Sequence, residues 1–269
     1  MSEIKLTPFL KWAGGKRWFV HNYRHLIPDD FNVYHEPFLG SGVVFFDLLP
    51  ERAVLSDVNV ELINVYQAIR DNYRKVEEYL EGHSNKHSNQ HYYDVRAAIP
   101  SSRYAKAART IYLNRTCWNA LYRVNKKGYF NVPIGTKNSV LLPTDNFKMV
   151  SKKLKNVEIS CGDFESVVDC AKSGDFVFVD PPYTVKHNNN GFVKYNEKIF
   201  SWDDQVRLRD AVVRASSRGA KVLVTNADHE SVKELYLGFK QHTLTRASII
   251  SGAANGRGKY NELAVQSWL

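Results

Sequence analysis

Short apolar runs alternate with helically spaced apolar positions along most of the chain, which is the rhythm of an α/β fold built on a parallel sheet. Val33 to Phe38, Ala53 to Asp57, Val157 to Cys161, Phe176 to Val179 and Ala220 to Asn226 read as strands. After the second of these, Leu62, Tyr66, Ile69, Tyr73, Val76 and Leu80 recur at helical spacing and mark the core face of a helix. Further helices are expected from Val43, over 203 to 217 and from Asp228, while β-rich stretches at about 239 to 250 and 262 to 269 suit an antiparallel pair closing the sheet. The polar run from Glu81 to His91 reads as a linker, and the loop-like residues 184 to 200, with Asn188-Asn189-Asn190-Gly191, as a mobile lid.

The continuous run Phe176-Val177-Phe178-Val179 is that of a strand buried on both faces. It stops at Asp180-Pro181-Pro182-Tyr183, because two prolines have no N–H to give a ladder. The chain leaves the sheet with carbonyl oxygens unpaired and a carboxylate at the carboxyl end of the strand, where open α/β sheets bind ligands. Carboxylate and carbonyl accept, and Tyr183 offers a flat aromatic face, a set that fits a planar amine. An exocyclic amine on a heteroaromatic ring is a poor nucleophile because its lone pair is delocalised. Acceptors that hold both N–H groups out of the ring plane turn that lone pair toward an electrophile, and no metal is needed. Taken alone, the four residues fit a strand-ending turn better, so the chemical reading depends on a cofactor site elsewhere.

Two glycine-bearing stretches offer one. In Trp12-Ala13-Gly14-Gly15-Lys16 the glycines let backbone approach a ligand while Trp12 packs and Lys16 meets an anionic group. Phe38-Leu39-Gly40-Ser41-Gly42 follows the first strand and opens the helix at Val43. A dinucleotide turn wants a third small residue where this chain has Phe45, so Phe38, Gly40 and Gly42 suit a neutral or zwitterionic cofactor such as S-adenosylmethionine (SAM). Asp57 ends the second strand, placed either to accept from ribose hydroxyls or to cap the next helix. Asp163 and Phe164 end the third, with Asp163 accepting from the cofactor's adenine amine and Phe164 stacking on its ring.

Composition narrows the partner. The chain has 269 residues, 43% of them hydrophobic and 13% aromatic, enough for one large domain or a core carrying an insertion. A net charge of +9 and a pI near 9.3 point to a polyanion. Cys117, Cys161 and Cys170 form no CxxC pair, and His83, His87 and His91 lack cysteine or clustered carboxylate partners, so neither a disulfide framework nor a metal site is expected. With no secretory or membrane-spanning run, a soluble cytoplasmic protein is expected, with no obligate protein partner.

The positive charge is placed unevenly. Arg103, Lys106, Arg109, Arg115, Arg123, Lys126, Lys127, Lys137, Lys148, Lys152, Lys153 and Lys155 face only Asp145. Within this segment, Trp118-Asn119-Ala120-Leu121-Tyr122-Arg123 and the loop-like stretch to Gly135 interleave aromatics and amides with cations, as duplex recognition does.

Together, Trp12-Ala13-Gly14-Gly15-Lys16, Glu36-Pro37-Phe38-Leu39-Gly40-Ser41-Gly42, Asp57 and Asp180-Pro181-Pro182-Tyr183 closely resemble Dam-type DNA adenine-N6 methyltransferases, and their order resembles the α group of amino-methyltransferases. The resemblance spans nearly the whole chain. It implies a Rossmann-like SAM-dependent core at 1–91 and 158–269 with an inserted helical and loop-rich DNA-recognition region at 92–157. By the same resemblance Trp12, Lys16, Asp57 and Asp180 match SAM-contacting positions, and Asp180 to Tyr183 orient a flipped adenine in double-stranded DNA. Trp118 matches an aromatic wedged beside that adenine, with Asn119 next to it; Leu121, Arg123 and Pro133 match base readers, and Lys11 a contact to the first base pair. The family's usual target is GATC, and restriction-modification is a usual setting. Trp118 stands where tyrosine is familiar, and Thr136-Lys137-Asn138 departs from the pattern after Gly135. Rival readings are methylation of RNA or of a glutamine amide, and a DNA-binding protein with an inert methyltransferase fold.

Overall fold

The computed structural model describes residues 6–125, 127–186, 200–247 and 259–268. Seven strands among them, β1 (Tyr34–Glu36), β2 (Ala53–Asp57), β3 (Val157–Cys161), β4 (Phe176–Val179), β5 (Lys221–Ala227), β6 (Lys240–Ala247) and β7 (Lys259–Gln266), form one sheet in the order β3-β2-β1-β4-β5-β7-β6. The pairs β1/β2, β1/β4 and β4/β5 are parallel, while β5/β7 and β6/β7 are antiparallel. The helices are α1 (Arg17–Tyr23), α2 (Val43–Leu48), α3 (Val60–Lys86), α4 (Asn89–Ala97), α5 (Arg103–Thr116), α6 (Phe147–Leu154), α7 (Phe164–Cys170), α8 (Trp202–Ser217) and α9 (Glu230–Leu235). Among the described residues no helix is long and apolar enough to cross a membrane. This is the α/β arrangement expected from the strand and helix rhythm and the Rossmann-like core that the resemblance implies, with the antiparallel closing pair in its expected place. The lid expected at Asn188 to Gly191 lies outside the described residues.

The chain divides into two compact units, one of residues 1–20, 39–51 and 56–161, the other of 21–38, 52–55 and 162–269. Their boundaries differ from the motif-based division at 92–157. In the second unit, Val177, Val179, Val222 and Val224 are fully buried and pack with Val168 of α7 and Leu208, Val212 and Ala215 of α8. The parallel pairing of β1 with β4 is pinned by two buried side chains: His35 and Asp175 meet at 3.0 Å, while Asp175 also accepts from Val33 N and Lys172 N. Both strands then end at one edge of the sheet, β1 running into Pro37 and Phe38 and β4 into Asp180.

In the first unit α3 carries most of the expected core face, with Leu62, Tyr66, Ile69, Val76 and Leu80 fully buried, while Tyr73, also expected there, is half-buried beside the kink at Asn72. At that kink Asn72 has φ −156° and ψ 80°, and the helix runs on to Lys86. The linker expected at 81–91 is therefore corrected: only His87 and Ser88 interrupt the helices, and Ser88 caps α4 by accepting from His91 N at 3.2 Å. The polar side chains there hold one another. His83 Nδ1 and His91 Nε2 lie 3.1 Å apart, His83 stacks on Tyr112 of α5, and His87 Nδ1 lies 2.9 Å from the Tyr112 hydroxyl. Two arginines counted as excess charge are also structural. Arg115, 5% exposed, forks onto both oxygens of Asp145 at 2.6 and 2.7 Å and bonds the carbonyls of Phe9 and Val140. Arg109 bonds the carbonyls of Val95 and Arg96.

Candidate active site

In the second unit, Asp180-Pro181-Pro182-Tyr183 continues from β4 and is held by side chains that come from elsewhere in the chain. Thr225 on β5 donates to Asp180 Oδ1 at 2.8 Å. Gln205 of α8, fully buried, reaches the carbonyls of Pro182 and Thr184 at 3.4 Å each and accepts from Asn226 at 3.0 Å. Gln205 thus occupies the Pro182 carbonyl, while the Pro181 carbonyl meets no side-chain donor among the described residues. The Tyr183 hydroxyl donates to Glu262 Oε2 on β7, whose other oxygen lies 3.1 Å from Arg246 on β6. Burial first, then the charges of Asp180 and Glu262, hold the Tyr183 phenol well above its ordinary value, so it is a neutral donor.

The same unit contains Phe38, Asp163 and Phe164. Phe164 is 3% exposed and stacks on the half-buried Phe38 with centroids 5.5 Å apart. Asp163 caps α7 by accepting from Glu165 N and also accepts from Arg207 at 3.0 Å, both on Oδ1. The more open ring of the pair is thus Phe38, with Phe164 built into the core behind it.

In the first unit the glycine turn takes the shape its sequence requires. Gly40 and Gly42 have φ of 49° and 63°, a left-handed region that favours glycine. A methyl group on Gly40 would meet the Trp12 indole at 3.1 Å, so the ring packs closely against that turn. Asp57 accepts from Gly40 N at 3.1 Å and Asn59 N at 2.9 Å. Burial nevertheless raises its carboxyl above the ordinary range, against these backbone bonds, so further donors would stabilise its charge. Lys16 is 4% exposed and donates to the Gly14 carbonyl at 3.0 Å.

The expected DNA-contacting residues all lie in this first unit. The Trp118 to Arg123 segment is fastened to the Phe130 to Gly135 segment by bridges between Cys117 and Ile134 and between Val124 and Phe130. Trp118 N donates to the Pro133 carbonyl at 3.0 Å and Asn131 N to the Arg123 carbonyl at 3.1 Å. A methyl group on Gly135 would sit 2.5 Å from the Cys117 carbonyl oxygen, so only glycine permits this approach. Trp118 stands 53% exposed ahead of Asn119 and Ala120, which both have φ of 53°. For Ala120 that is a strained conformation of the kind found at functional sites. Leu121 is half-buried, Pro133 is exposed, and exposed Arg123 donates through Nε to Asn131 Oδ1 at 2.8 Å. Asn114, 1% exposed, clamps both backbone polar groups of Lys11 at 3.0 and 2.7 Å. The Lys11 ammonium is shifted down, first by its contact with Lys137 and then by burial.

Sequence reasoning missed Glu262, Thr225, Gln205, Tyr122 and Asn131. Each acts through a partner distant in the chain or through a bond that no short motif encodes.

A strand order β3-β2-β1-β4-β5-β7-β6 with β7 antiparallel, a glycine turn after β1 and an acidic residue ending β2 is the arrangement of a SAM-dependent methyltransferase core. A family model for D12 class N6 adenine-specific DNA methyltransferases matches residues 12–249, and the chain belongs to that family. It is similar to the type II methyltransferase M1.LlaDCHI of Lactococcus lactis subsp. cremoris, at 38% identity over 99% of this chain and 97% of that one. It is also similar to the type II methyltransferase M.MjaIII of Methanocaldococcus jannaschii (36% identity, 88% and 90%) and to a DNA adenine methylase of Vibrio cholerae (31% identity, 96% and 95%). The protein is an enzyme that transfers the methyl group of SAM to N6 of adenine in DNA.

Proposed function

We propose that the enzyme methylates adenine within GATC in duplex DNA after flipping the base out of the helix. The observation that carries this reading is the end of β4: the Asp180 carboxylate, fixed by Thr225, is followed by the Pro181 carbonyl and by the Tyr183 ring, fixed by Glu262. A flipped adenine stacks on Tyr183 while Asp180 and Pro181 accept from its two N6 hydrogens, which turns the nitrogen lone pair out of the ring plane. When bound, SAM supplies an electron-poor sulfonium methyl to that lone pair. Trp12, Lys16, Gly40, Gly42, Asp57, Phe38, Asp163, Phe164 and Asp180 are the residues proposed to hold it. Asp57 fits the ribose, because among the described residues its half-buried carboxylate accepts from the backbone N–H groups of Gly40 and Asn59, and hydroxyls would supply further donors. The region 92–157 with Lys11 is proposed to read DNA: Trp118 wedges beside the flipped base, Asn119 supports it, and Leu121, Arg123 and Pro133 face base edges.

Asp180→Ala is expected to abolish methyl transfer while duplex binding in gel shift survives. Retained turnover would mean that this strand end is only a turn. Sequencing plasmid DNA from an expressing strain for N6-methyladenine tests the target, and methylation outside GATC would overturn that part of the reading.

A further inference from the structure

Tyr122 lies between Leu121 and Arg123, yet its own side chain turns toward the glycine turn of the same unit. Its ring stacks on Trp12 with centroids 4.9 Å apart and planes 28° from parallel. Its hydroxyl donates to Glu61 Oε2 at 3.0 Å, in the first turn of α3, and Arg109 stands 3.8 Å from the other oxygen of Glu61. Two routes connect Tyr122 to the Asp57 carboxylate. One runs through Gly40, whose N–H donates to Asp57 and which packs so closely on the Trp12 indole that an added methyl group would meet it at 3.1 Å. The other runs through Asn59, whose N–H donates to Asp57 and whose side chain caps α3, and so to Glu61. The first route ends on the Tyr122 ring and the second on its hydroxyl. A ring clamped at its face and its tip cannot rotate without losing one contact, so a displacement at Trp12 or α3 passes to the backbone that carries Leu121 and Arg123. Beyond them the bonds between Arg123 and Asn131 make the hairpin move as one piece.

We propose that Tyr122 is the positioning residue that ties the base-reading segment to the cofactor turn, so that a filled cofactor site sharpens discrimination among DNA sequences. This rests on the base-reading role proposed for Arg123. By reciprocity of binding free energies, the correct DNA also tightens the cofactor. Tyr122 itself touches neither base nor reacting atom.

The test reads binding rather than turnover. Dissociation constants are measured by anisotropy for a GATC duplex and for a duplex with the final C·G pair replaced, each with and without S-adenosylhomocysteine. In the native enzyme the preference for GATC should rise roughly ten-fold when the cofactor product is added, the scale of one stacked ring pair plus one hydrogen bond. Tyr122→Ala should reduce that rise to about two-fold or less with non-specific affinity unchanged. Tyr122→Phe keeps the stack, loses the bond to Glu61, and should fall between. Full sharpening in Tyr122→Ala, or none in the native enzyme, overturns the coupling. If Arg123→Ala remains as selective as the native enzyme, it is the base-reading assignment that fails.

Discussion

Tyr183 cannot serve as a proton acceptor, because burial and two neighbouring carboxylates keep its phenol protonated. Its hydroxyl instead fixes the ring through Glu262. Glu262→Ala should lower kcat about ten-fold with little change in KM for DNA, and Glu262→Gln, which keeps an acceptor, should recover most of that loss. Tyr183→Phe combined with Glu262→Ala should be clearly non-additive, with a coupling of about 1–2 kcal/mol. Additive losses would show that Glu262 acts elsewhere. The motif from Asp180 to Tyr183 was legible because its chemistry lies in four adjacent residues. Glu262 was not, because its meeting with Tyr183, 79 positions away, depends on how β7 enters the sheet.

At the scale of elements, the strands were legible wherever an apolar run ended in a turn residue, as at β2 and β4. The end of α3 was not, because the apolar repeat stops at Leu80 while His83, His87, His91 and Tyr112 continue the packing with polar rings. Burial first, then the charges of His91 and Lys86, lowers His83 to about 4 from its ordinary 6.5. His91 is also lowered, chiefly by burial and by Lys86, with Asp94 opposing. Between pH 6.5 and 4 the unfolded chain therefore binds a proton at His83 that the folded chain refuses, so stability is lost as pH falls through that window and is retained above it. Allowing for solvent screening at this half-exposed ring, the loss should be about 1–2 kcal/mol, or several degrees in Tm. Thermal unfolding at pH 7.5 and 5 checks this, and His83→Gln should flatten the difference.

For the molecule as a whole, the net charge of +9 correctly pointed to a polyanion, but residue counts alone misjudged which cations face it. Arg109 and Arg115 are buried in backbone bonds, and Arg103 pairs with Asp71 at 2.9 Å. Lys106, Lys127, Lys137, Lys148, Lys152 and Lys155 remain exposed. Non-specific DNA affinity should therefore fall with salt at a log–log slope of about −4 to −6. Lys127→Ala or Lys137→Ala should reduce its magnitude by about one each, whereas Arg109→Gln should cost stability and leave the slope unchanged. Titration from 50 to 300 mM salt by anisotropy, about the range where phosphate contacts dominate, separates these outcomes.

His35 meets Asp175, 140 positions further along the chain. At synthesis rates of about 5–20 residues per second, the ribosome delivers that partner roughly 7–28 s after the strand that needs it. Through that interval the nascent chain presents Tyr34–Glu36 with one flank uncovered, so slowed translation or reduced chaperone supply is expected to lower the yield of active protein while leaving the Tm of the finished enzyme unchanged.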